Sequence, residues 1–254
     1  MALRTRTLVA SGGAVLLGLA LAGCGSTDPG DAPAEHKSFA LSGKTLTIDA
    51  GHTSLELVPA DVVKVEVTRR VDGWVVLGNG PDPKWRMRDD TLTLQVKCRA
   101  LISDCDAQHR VKVPRGVAVV VKGDNGKVVA SGFDTPLAVR ADNGAVTVRD
   151  SSGPLNLESD NGGIVAEGVS SKSVRARSDN GSVRLGFASV PDLVDTESDN
   201  GRITIELPGG SVKYAVSATA SNGRTSVDAP RSDESPHVVK AHSDNGQVTV
   251  RSAN

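Results

Sequence analysis

Six carboxylates recur at near-constant spacing in the second half of the chain: Asp124, Asp142, Asp160, Asp179, Asp199 and Asp244, each followed by Asn-Gly. A seventh Asn-Gly, at Asn222, carries Ser221 where the others carry Asp. A column of carboxylates can hold Ca²⁺ through its oxygens. Beside cations it can also do the proton transfers of a polysaccharide lyase, and Lys122, Arg140 and Arg177 stand two residues before Asp124, Asp142 and Asp179. Against Ca²⁺, the spacing is neither that of the EF-hand loop nor that of the Ca²⁺-binding nonapeptide. Against catalysis, His36, His52, His109, His237 and His242 form no HExxH, and no GxSxG occurs. The residues therefore point to a solvated, mixed-charge face on a non-enzymatic protein without a cofactor, Ca²⁺ on the Asp column being the one ion to test.

The positions that could do chemistry are set by a repeat. The Asn residues are Asn125, Asn143, Asn161, Asn180, Asn200, Asn222 and Asn245, at spacings of 18, 18, 19, 20, 22 and 23. Such a period marks a stacked architecture. With each Asn numbered zero, slots −6 and −4 hold Val, Leu, Ala or Thr, slot −2 is always Gly, Ala or Ser, and slots +3 and +5 hold Val, Ile, Leu, Ala or Thr. Alternate residues share a face of a strand, so each repeat reads as strand, corner, strand with one apolar side. The fold class predicted is all-β: a parallel β-solenoid (β-helix) of about 18–23-residue repeats with an N-terminal β-rich cap. The alternative is an array of Asn-Gly β-hairpins in a sandwich or prism.

Scarce aromatic residues and like-for-like slots favour the solenoid. Asn and Gly at the corner tolerate left-handed φ, and Asn amides can stack in a ladder. Repulsion along the Asp column must be offset by Asx hydrogen bonds, by Lys127, Arg202 and Arg224, or by cations. The template also fits Leu46 to Leu57, with His52 at zero, as a degenerate eighth repeat. The last repeat ends at Val250-Arg251 and is expected to leave an open β-edge.

Upstream, residues 1–24 read as a signal peptide with basic Arg4 and Arg6 and an apolar Leu8–Ala22. It ends in Leu21-Ala22-Gly23-Cys24, which resembles the lipobox of bacterial lipoproteins. That resemblance implies acylation of Cys24 and a chain held by membrane lipid on the extracytoplasmic face. Residues 25–38 read as a flexible tether, 39–110 as a β-rich cap, and 111–254 as the repeat domain. Gly78 to Pro83 reads as a loop, with Trp74 and Trp85 packing on each other or closing the end of the core. Cys98 and Cys105 form an even pair in an exported chain, which favours a disulfide. A formal net charge of −1 without a Lys/Arg cluster excludes a nucleic-acid partner.

With its lipobox leader, Cys pair, "VPRGVAVVVKGDNGKVVASG" and repeated Ser-Asp-Asn-Gly units, the chain is similar to the putative adhesin family of bacterial extracytoplasmic proteins. The resemblance implies a β-repeat domain and a surface role, with no catalytic residues to carry over. The function expected is a membrane-anchored rod for adhesion or envelope scaffolding, its partner a cell-envelope protein or glycan. Behind it stand an envelope-stress sensor or accessory lipoprotein that binds a membrane-protein partner, and then the lyase.

Overall fold

An Asn-Gly between two alternating apolar segments can close a hairpin or turn the corner of a coil. In this protein it turns a corner. The computed structural model describes residues 32–253, all of whose regular elements are β-strands. Cys24 and the predicted leader lie outside the described residues.

Each repeat contributes two strands that pair with other repeats rather than with each other. They are β6 (Ala118–Gly123) and β7 (Val128–Ser131), β8 (Leu137–Ala141) and β9 (Val146–Arg149), β10 (Leu155–Ser159) and β11 (Ile164–Val169), β12 (Ser173–Ser178) and β13 (Val183–Phe187), and β14 (Leu193–Ser198) and β15 (Ile203–Leu207). All pair in parallel, for instance Val119↔Leu137 and Val128↔Val146, and the register holds throughout except for one shift between Ala166 and Val169 where β11 meets β13. The slots read from the sequence are therefore axial columns. Val119, Leu137, Leu155, Val174 and Val194 stack in one, and Val128, Val146, Ile164, Val183 and Ile203 in another, all buried. The solenoid is the fold, and the hairpin array is not.

The order of rungs departs from the order of the chain. β16 (Ala215–Asn222) and β17 (Thr225–Asp228) precede β18 (Val238–Asn245) and β19 (Val248–Ser252), yet β14 and β15 pair with β18 and β19. β16 and β17 then pair on their far side and form the terminal rung. The last repeat is thus interior, and the open edge expected there belongs to the repeat before it. Composition explains the exchange. Ser243 of β18 donates to the carbonyl of Gly201 in β14's rung at 2.9 Å, and Ala220 in that seat could not. Thr225 and four slots filled by alanine or valine (Val216, Ala218, Ala220 and Val227) instead suit a seat covered on one side only.

The cap is built from the same template. β2 (Thr45–Gly51) and β3 (Ser54–Ala60) form the degenerate repeat, with Leu46↔Val119 and Leu55↔Val128 in register and one bulge at Gly51, where φ is +50°. β5 (Thr91–Pro114) stacks next. Its start pairs with β2 through Ile48↔Leu92, and its end with β3 through Leu55↔His109. β5 is therefore a rung whose corner is replaced by an excursion. Cys98 and Cys105 close it with a disulfide, their Cα atoms 6.6 Å apart, where seven extended residues would span roughly 23 Å. Residues 110 and 111, where the onset of the repeat suggested a border, are neighbours inside β5.

β4 (Val65–Arg88) pairs antiparallel along β5 and seals this end, turning at Asp89 and Asp90, whose φ values of 48° and 55° are those of a two-residue type I′ turn. The loop expected at Gly78–Pro83 is a bulge in β4, with a register shift between Asn79 and Asp82, because the excursion of β5 keeps a partner beside it. β1 (Glu35–Phe39) pairs with β4, so the expected tether ends before Glu35 rather than at 38. The two tryptophans do not pack together. Trp85 meets Phe39 edge-on and carries the Arg69 guanidinium 4.0 Å above its ring, whereas Trp74 is half exposed on the part of β4 that runs beside the excursion. Under this cap, His109 fills a core slot with 0% exposure and no partner for either ring nitrogen.

Candidate interaction trough

The corner columns tie successive rungs together. The Asn amides form one ladder, each Nδ2 donating to the next Oδ1: Asn143 to Asn125 at 2.8 Å, Asn161 to Asn143 at 2.9 Å, Asn180 to Asn161 and Asn200 to Asn180 at 3.0 Å. Asn245 donates to Asn200 and Asn222 to Asn245, at 3.0 and 3.1 Å. At the other end Asn125 meets Nδ1 of His52, so the imidazole stands in for an amide. Asn180→Asp, which replaces a donor in mid-ladder by a carboxylate facing Asn161 Oδ1, should cost about 1–2 kcal/mol in urea unfolding.

Left-handed φ is not what the corner asks of its residues. No corner Asn or Gly has positive φ. The glycines are required by axial approach: a Cβ on Gly162, Gly181 or Gly201 would lie 2.2, 2.3 or 2.0 Å from the carbonyl oxygen of the corner glycine one rung away. Slot −2 has its own role. Ser159, Ser178 and Ser198 donate to the carbonyls of Gly144, Gly162 and Gly181 at 3.0–3.1 Å, satisfying oxygens that the corner buries. The run of Ser at −2 was the signal for this bond, and smallness alone missed it.

The Asp column faces solvent, and its repulsion is offset from slot −3. Arg140 donates to Glu158 on the adjacent strand and to Asp160 at 3.0 and 3.2 Å. Arg177 reaches Glu197 at 2.7 Å and Asp179 and Asp199 at 3.5 Å. His242 binds Asp244 at 3.0 Å. The hydrogen bond and charge of Glu158 hold the Arg140 guanidinium above its ordinary pKa, and the charge of Glu197 does the same for Arg177. Lys127, Arg202 and Arg224, proposed from spacing, form no ion pair with the column among the described residues. The partners that do, Glu158 and Glu197, were legible in the sign alternation at −3. Both arginines that a lyase would need free are engaged, and no three His, Cys, Asp or Glu side chains converge as a metal ligand set among the described residues. These pairs are half exposed, so each is worth at most about 1 kcal/mol and serves mainly to fix geometry.

Outside slots −7 to −3, the sheet of β6, β8, β10, β12, β14, β18 and β16 bears three shallow hollows of about 220, 240 and 250 Å³. They share walls: Asn156 and Arg175 belong to the first and second, Asp195 and Glu197 to the second and third. Together they make one trough along the axis. It is apolar at Val120, Pro136, Ala138 and Pro154, charged across Arg175, Arg177, Asp195 and Glu197, and lined with Ser217, Thr219, Lys240 and His242 at its far end. Strands 4.8 Å apart display one side chain per rung along it, which suits an extended ligand.

The family model described as Toastrack DUF4097 matches residues 119–253. The crystal structure of a putative adhesin from Bacteroides fragilis aligns over 87% of this chain and 97% of its own, at 15% identity and a TM-score of 0.52, and so shares the fold. That of a putative adhesin from Parabacteroides merdae aligns over 88% and 98%, at 13% identity and a TM-score of 0.43. No curated protein matches the chain.

Proposed function

This chain belongs to the Toastrack DUF4097 family, and we propose that it is a non-enzymatic lipoprotein of the bacterial cell surface that binds an extended envelope component, protein or glycan, along its trough. The carrying observation is the continuity of that trough over seven strands, with side chains locked by ion pairs between rungs. Cys24, at the end of the lipobox-like segment, is the anchor in this reading, and the chain stands on the extracytoplasmic face of the membrane. The Bacteroides fragilis putative adhesin shares the fold.

The experiment is direct. Full-length chain made in a bacterium should fractionate with membranes, and Cys24→Ala should move it to the soluble fraction. Arg177→Glu should lower binding of the anchored protein to isolated envelope material without changing its free energy of unfolding by more than about 1 kcal/mol. Turnover of any envelope glycan by the purified protein would overturn the non-enzymatic part. Membrane association unaffected by Cys24→Ala would overturn the anchor.

A further inference from the structure

The two ends of the solenoid are treated differently. One is sealed by the antiparallel β4 and β1. At the other, no strand pairs with the outer side of β16 or β17 among the described residues, apart from the bridge between Tyr214 and Arg231 just before β16 begins. Val216, Ala218, Ala220 and Val227 occupy inward slots there and are only half buried. Natural edges are usually blunted by charge or proline. β16 has neither from Ala215 to Asn222. Where every other Asp-Asn-Gly rung carries a carboxylate, this one carries Ser221, and at −3 and −5 it carries Thr219 and Ser217.

We propose that this terminal rung pairs with the same rung of a second copy, tail to tail about a two-fold axis. The phase of the backbone fits. Val248 N–H donates to Arg224 O, so Thr225 and Val227 turn their own N–H and C=O groups away from β19 to the open side. In an antiparallel pairing of β17 with its copy centred on Ser226, Thr225 of each copy opposes Val227 of the other, and these are the residues with free groups. Arg224 then opposes Asp228 of the copy, on the outer face and in the closely spaced type of pair. The edge is thus self-complementary in hydrogen bonding and in charge. On the neighbouring strand, the lack of charged residues in β16 leaves nothing to repel, whereas an Asp-bearing rung would set like charges together. Pairing would also bury the half-covered aliphatic slots and join the two troughs end to end.

Ser226→Cys tests the register in the full-length chain. Opposed Ser226 positions are a closely spaced pair, so this variant should form a disulfide-linked homodimer on oxidation, while Thr204→Cys, in the same slot of interior β15, should not. Asp228→Arg should weaken dimerisation about tenfold in light scattering of detergent-solubilised protein. Adding Arg224→Asp should restore it, which a folding defect would not do. A monomer without the Ser226→Cys crosslink, a crosslink to a different polypeptide, or a double variant as weak as the single would each overturn the proposal. Binding along the trough is read separately, so failure here leaves the proposed function standing.

Discussion

Gly181→Ala should destabilise the protein by about 3 kcal/mol or more, seen as a lower urea midpoint at unchanged slope. Its Cβ would stand 2.3 Å from the Gly162 oxygen and 2.7 Å from Ser178 Oγ. The first atom is backbone in the adjacent rung, so relief requires the rungs to part and every hydrogen bond of the ladder to lengthen. Gly116→Ala separates this cause from the usual one. Gly116 has φ +76° with nothing within 4 Å of an added Cβ, so its variant pays backbone strain only, about 1–2 kcal/mol. If the two cost the same, axial approach is not what the corner glycines serve.

The second large effect is acid sensitivity centred on His109. The imidazole is buried among apolar neighbours, opposite Leu55 on β3 and Arg69 on β4, and Glu35 of β1 binds that arginine. Burial first, and then the Arg69 charge, pull its pKa down from 6.5 to about 4. The unfolded chain therefore takes up the proton at higher pH than the folded one. Stability due to neutral His109 is fully present above about pH 6.5 and falls as pH drops towards 4, by about 3 kcal/mol. His109→Leu, which copies Leu55 in the same column, should remove that slope and raise stability at pH 7, since two unpartnered ring nitrogens leave the core. An unchanged slope between pH 6.5 and 4 in the variant would place the acid sensitivity elsewhere.

The inward slots, the corner and the eighth repeat were all legible before any coordinates, because a strand's period of two and a fixed repeat length are properties of the chain itself. Leu46, Ile48, Leu55 and Leu57 stack as read, and the one departure is the bulge that sets Gly51, rather than Ala50, opposite Gly123. His109 was not legible. Its slot in the core is reached only after an excursion that the disulfide closes, and nothing in local spacing counts across that gap.

The same holds for what each corner residue is for. An isolated Asn-Gly has two conformational uses, and its sequence neighbours cannot separate them. The close glycine contacts, the serine bonds to buried carbonyls and the Arg140 and Arg177 bridges exist only between rungs. Rung order is of the same kind. The sequence by itself determined the repeat, its apolar side and the column that faces water. Only the tertiary structure decided that the penultimate repeat would end the stack, because a seat covered on one side selects the rung with least to bury and least charge to place.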